Sequence, residues 1–226
     1  TATARRRIRE GVERLTWAAV LKPGTIGVSP YRDAEREFLE ISVLTVHFRS
    51  EAAVLRLVEL IHRAVPYHVL LLDNGPEGLG ISVAHKRFSQ GEAGKVVVEQ
   101  VNRTTLSPDD TGNELQSAFL SSLALTSLPT QHLFALYQAW VDRIAAMEAA
   151  HVTGNFSTPC TKEGSKVLEQ SLQEHARLKK EIANLCAQAR KEKQLRRRVE
   201  QNIKIKELEA ELAAAKNRLQ TMGEAK

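Results

Sequence analysis

The stretch FLEISVLTVHFRSEAAVLRLVELIHRAVPYHVLLL, residues 38–72, sets a strand, a helix and a second strand in succession. In its first part Phe38, Glu40, Ser42, Leu44, Val46 and Phe48 fall on one face of an extended chain, and Leu39, Ile41, Val43, Thr45 and His47 on the other. Both faces are mostly apolar, which predicts a strand inside a sheet. Ser50 is suited to cap a helix with Glu51 in its first turn. Val54, Leu57, Val58 and Ile61 then form an apolar stripe that ends before Pro66. The continuous apolar run Val69–Leu72 follows. Strand, crossover helix and strand make a mixed sheet the natural expectation.

Working outward, Ile8, Val12 and Leu15 are spaced as on an opening helix. Trp17–Leu21 reads as a short strand closed by Lys22-Pro23-Gly24. Downstream, Asp73-Asn74-Gly75-Pro76 turns the chain, and Leu79–Ala84 and Lys95–Val101 read as two more strands joined through Gly91 and Gly94. Ser107-Pro108-Asp109-Asp110 opens a helical segment holding Leu115, Phe119, Leu120 and Leu123. Pro129 precedes a further one with Leu133, Leu136, Tyr137, Trp140, Val141 and Ile144. The expected fold class is therefore mixed α+β: about five strands covered by helices, followed by a long C-terminal coiled-coil helix.

The 226 residues are 42% hydrophobic and 26% charged, with a net charge of +5, as expected of a soluble folded chain. No apolar run approaches the ~20 residues that span a bilayer, so a membrane protein is not expected. Two cysteines, Cys160 and Cys186, support neither a disulfide framework nor a structural zinc site, and a reducing cytoplasmic location fits them. The chain opens on Thr1 and reads as the interior of a longer gene product.

Charge is unevenly placed. Residues 161–226 carry 16 basic and 10 acidic side chains, so the tail is the basic part of the molecule. Composition changes at the same place, giving an expected mixed domain over 1–156, a linker over 157–166 and one helix over 167–222. That helix, without Gly or Pro until Gly223, would measure roughly 80 Å. Leu178, Ile182, Leu185 and Ala189 alternate spacings of four and three, as do Ile205, Leu208, Leu212, Ala215, Leu219 and Met222. These seams, above all Leu178, Ile182, Leu185, Leu208, Leu212 and Leu219, predict pairing with a partner helix or a second copy. Between them Arg190, Lys191, Lys193, Arg196, Arg197 and Arg198 face a single Glu192. Such a basic centre suits salt-sensitive contact with DNA phosphates, and equally the solvated surface of a coiled coil. Arg5, Arg6 and Arg7 carry the same pair of readings.

Visible chemistry is sparse. Glu40, Asp73 and Lys86 come from three expected strands and are the residue types of a metal-dependent nuclease, without its Glu-x-Lys spacing. The seven histidines form no His-x-x-x-His pair; His47, His68 and His132 read as packing or surface residues. Ser42 and Ser82 lack a nucleophile elbow, and Asn74–Gly80 lacks the ending of a phosphate loop. Tyr137 and Trp140, three apart, read as core. No cofactor, metal or catalytic residue is assigned.

Leu15-Thr16-Trp17, Leu39–Val43, Arg63–Leu71, Ile81–Arg87 and Lys191-Glu192-Lys193-Gln194 together resemble DUF4391, an uncharacterised bacterial family. The resemblance implies a neighbourhood of helicases and DNA methyltransferases in restriction-like phage-defence clusters, and a further segment before the first helix. It therefore implies an accessory subunit that docks on a helicase or methyltransferase and touches duplex DNA. A nuclease subunit and a purely structural dimerisation protein are the alternatives.

Overall fold

The computed structural model describes residues 2–75, 78–92, 94–108, 113–159 and 161–224. Pro76, Asp109, Asp110 and Cys160 lie outside them, as does the side chain of Met222. The architecture is mixed α+β, with a five-stranded sheet and a long C-terminal helix. Two compact units divide the chain, residues 1–144 and residues 145–226.

In the first unit α1 (Ala2–Gly11) leads into β1 (Val12–Leu21). The opening helix thus ends earlier than its periodicity predicts, and Val12 and Leu15 belong to the strand. β1 pairs antiparallel with β4 (Ile41–Phe48), and sheet pairing overrides a helical spacing that rests on three residues. Gly11 marks the junction: a Cβ there would collide with Leu57. A single turn α2 (Pro23–Ile26) and the ribbon β2 (Tyr31–Arg32) and β3 (Glu37–Phe38) follow. Phe38 consequently sits in the ribbon, with β4 starting at Ile41.

The crossover expected from residues 38–72 is present. Helix α3 (Val54–Ala64) joins β4 to a parallel β5 (His68–Gly75). It starts three residues later than predicted: Ala53 is the N-cap and no side chain caps it, so Ser50 does not serve. β6 (Gly78–Phe88) and β7 (Val96–Leu106) complete the order β1-β4-β5-β6-β7, antiparallel beyond β5. Leu44, Val46 and Phe48 of β4 and Val69 and Leu71 of β5 pack against Leu57, Val58 and Ile61 of α3, with Ile8 of α1 beside them. Each such side chain contributes roughly 1.5–3 kcal/mol when fully buried.

Alternation sends His68 and His85 to the opposite face. There α4 (Glu114–Ser122), capped by Asn113, is followed by α5 (Leu133–Thr153). Tyr137 of α5 is fully buried; its hydroxyl accepts from Ala84 N at 2.8 Å and faces the carbonyls of Val69 at 2.9 Å and Ala84 at 3.1 Å. Trp140 donates to Leu123 O at 3.2 Å. Both aromatics are core, as their spacing suggests.

In the second unit the stretch expected as one rod is two helices, α6 (Lys162–Lys191) and α7 (Leu195–Glu224), folded back on each other. Each is about 45 Å long. Neither Gly nor Pro causes the break; Glu192 leaves the helical conformation at ψ 125°. In an unbroken helix the Leu178 set and the Leu208 set would point roughly 130° apart. Reversal lets them face each other: Leu178, Leu208 and Ala215 are buried together with Ile182, Leu185 and Leu212 around them. Leu219 meets Leu168, Ala145 and Ala149. Among the described residues no helix is long and apolar enough to cross a membrane.

Candidate functional site

The three residues of the nuclease reading do not converge. β4 and β5 run parallel with Ile41 opposite His68 and Val46 opposite Asp73, so Glu40 and Asp73 lie roughly 20 Å apart along the strands. Glu40 is held by Lys22 at 3.1 Å. Asp73 is completely buried and takes a two-pronged ion pair from Arg103, Nε to Oδ2 at 3.0 Å and Nη2 to Oδ1 at 2.8 Å. Arg103 also donates to Thr105 Oγ1 at 2.7 Å. Gly80 faces the pair, where a Cβ would overlap both the carboxylate and the guanidinium. Sequence reasoning missed Arg103 altogether, because nothing local marks it.

Lys86 is only 1% exposed. Its ammonium donates to Val65 O at 2.6 Å and to Tyr67 O, tying β6 to the chain leaving α3. Burial lowers its pKa to about 7. Lys86 and Glu40 share the lining of a cavity of ≈ 470 Å³ with Arg36, Tyr67, His68 and Arg87. Charged groups of the lining are engaged by residues outside it: Arg36 reaches Glu35 at 3.2 Å, and Arg87 reaches Glu99 at 3.6 Å.

The histidines serve packing. His62 of α3 shares a buried hydrogen bond with Ser82 at 3.0 Å, and burial pushes its pKa down to about 3. His68 stacks on Phe38 at 3.5 Å, and burial pushes it to about 2. His85 bonds Gln138 at 2.8 Å, and burial brings it to about 4. His47 meets Arg14 at 3.1 Å, while His132 Nδ1 accepts from Ala135 N at 3.0 Å and caps α5.

The basic cluster is gathered at one place. Arg190 and Lys191 end α6, Lys193 lies in the connection, and Arg196, Arg197 and Arg198 begin α7, so all six surround the tip of the helical hairpin. Every one is exposed. Glu192 accepts from Gln194 N at 2.8 Å and shapes the turn; Arg196 meets Glu200 at 3.2 Å. Cations suit the C-terminal end of α6 but oppose the positive end of the α7 dipole, whose first turn holds no acid. Three arginines placed against that field leave the tip short of negative charge, which a bound polyanion would supply.

Arg5, Arg6 and Arg7 are exposed on α1. Arg6 pairs with Glu10 at 3.7 Å. Arg7 lines a cleft of ≈ 680 Å³ together with Arg49, Arg56, Glu10 and Glu51. The seam residues Leu178, Ile182, Leu185, Leu208, Leu212 and Leu219 face the chain's own helices, correcting the expectation that they are presented to a partner. Leu178 is 0% exposed, so none of its apolar surface remains for a second chain. Among the described residues no group of three or more His, Cys, Asp or Glu side chains is arranged to hold a metal ion.

A family model described as "Domain of unknown function (DUF4391)" matches residues 1–212. No curated protein and no solved structure matches the chain.

Proposed function

The chain belongs to the DUF4391 family, and from that premise we propose that it is a non-catalytic accessory subunit of a DNA-processing, restriction-like phage-defence complex in the cytoplasm. In this reading the α/β unit docks on a helicase or methyltransferase, and the hairpin tip lies against the DNA backbone. The observation that carries it is the concentration of six exposed cations at the tip, three of them against the α7 dipole. Contacts of this kind neutralise phosphates without reading bases. The nuclease reading loses its support because Glu40, Asp73 and Lys86 are each engaged elsewhere.

The test has two arms. Duplex DNA is titrated with the full chain by fluorescence anisotropy between about 50 and about 200 mM salt. If all six cations touch phosphate, log K falls against log salt with a slope of about −5. Reversal of Arg196, Arg197 and Arg198 to Glu should at least halve that slope; an unchanged slope and affinity would remove the tip from DNA contact. In the second arm, a tagged pull-down from the native host is washed with nuclease. A helicase or methyltransferase retained afterwards supports protein docking, and its loss overturns that part.

A further inference from the structure

Helix α7 carries apolar residues on two opposite faces, and the hairpin uses one of them. Ile205, Leu208, Ala215 and Leu219 are buried within the second unit. Leu195, Val199 and Ile203 follow at intervals of four and are 66%, 48% and 55% exposed. At ~100° per residue they form a stripe roughly 160° from the buried face and about 12 Å long. A helix apolar on two sides has room for two neighbours, and α6 supplies one.

The surroundings of this stripe define the second neighbour. Arg196 and Lys206 lie on the same side of α7 as the stripe, and Arg198 borders it. Of the acids beside it, Glu200 pairs with Arg196 at 3.2 Å, and Glu207, one turn beyond Ile203, pairs with Lys204 at 3.5 Å. The face is thus a short hydrophobic ridge in a positive field. A stripe in steps of four along a helix is the pattern by which one helix packs on another. Phosphodiester backbone supplies negative charge but no matching row of apolar side chains.

We propose that the outer face of α7 docks an acidic amphipathic helix of a partner protein: apolar side chains cover Leu195, Val199 and Ile203, and flanking carboxylates meet Arg198 and Lys206. This places a protein-docking surface on the hairpin that shares Arg198 with the tip, while its apolar stripe does not depend on the tip touching DNA.

The probe is a fluorescein-labelled synthetic helix of repeating Glu-Leu-Ala-Ala-Leu-Glu-Ala heptads, with leucines on one side and glutamates flanking them. Its control keeps every glutamate and replaces each leucine by serine. The full chain should bind the probe at least tenfold more tightly than the control. The double variant Val199→Ser, Ile203→Ser, at exposed positions outside the packed seam, should lose that preference while its helicity and its duplex-DNA affinity stay unchanged. Equal binding of probe and control, or full binding by the double variant, overturns the proposal. So does loss of DNA affinity in the double variant without loss of the probe, which would assign the stripe to nucleic acid. A dimer by light scattering that the double variant abolishes, with no probe binding, would assign the stripe to a second copy and overturn it as well. Failure of the tip reversal to change DNA binding bears only on the DNA reading.

Discussion

Replacing Asp73 by Asn isolates the buried ion pair of β5 and β7. The substitution keeps the size of the side chain and removes its charge, while the Arg103 side chain stays 10% exposed beside a strand pair that closes over it. Losing one partner of a buried pair costs about 3–5 kcal/mol, because the other charge keeps its desolvation penalty without its main compensation. Against a typical domain stability of about 5–15 kcal/mol this is a large fraction. At about 2–4 °C per kcal/mol for a chain of this size, the melting temperature of the first unit should fall by about 6–20 °C. Urea unfolding followed by circular dichroism reads the free energy directly. Arg103→Met should cost a similar amount, and the double variant less than the two together, because the charges leave as a pair. Gly80→Ala should destabilise through the same pair, since its methyl group would occupy the space of the carboxylate. An Asp73→Asn protein within about 0.5 kcal/mol of the parent, or strict additivity with Arg103→Met, would refute the assignment of Asp73 as a structural anchor.

Three further outcomes follow from the same structure. His62, His68 and His85 have pKa values of about 3, about 2 and about 4, below the ordinary 6.5, so their contribution to stability is complete above pH 6.5 and is lost as pH falls and the unfolded chain takes up protons. The loss reaches at most about 1.4 kcal/mol per histidine per pH unit, and a flat urea midpoint between about pH 7 and about pH 5 would contradict it. Leu178→Ala, at a fully buried seam position, should cost the hairpin about 2–5 kcal/mol in thermal or urea melts, and an unchanged melt would mean the seam is not packed as described. Val199→Ser, with a side chain 48% exposed, should stay within about 0.5 kcal/mol in the same melts, so the contrast between the two faces of α7 is itself a check on the hairpin.

The β-α-β unit was legible because periodicity reports local burial. Two-sided apolar alternation in residues 41–48, a helical stripe at Leu57, Val58 and Ile61, and a short apolar run at Val69–Leu72 each name their element. The cluster of cations between Arg190 and Arg198 was visible in the sequence as well, as were the core roles of Tyr137 and Trp140. The start of β1 at Val12 was not, since three apolar residues at helical spacing carry less free energy than a full ladder against β4. Arg103 escaped notice because its partner lies 30 residues away and no local pattern records a pair across a sheet.

Sequence alone determined the strand-helix-strand pattern of residues 41–72 and the seams of α6 and α7, all of which depend on neighbours within a few residues. Tertiary structure alone decided that Glu192 ends a helix made of strong helix formers, and it did so because two seams out of phase in a straight rod bury each other only when the chain reverses. That reversal converts a basic midpoint into an exposed tip and turns the predicted docking seam inward, while Leu195, Val199 and Ile203 are left facing solvent. Which apolar face of a helix meets its own chain is a property of packing, and periodicity is blind to it because it gives the direction of a stripe relative to its own axis and nothing about what lies opposite.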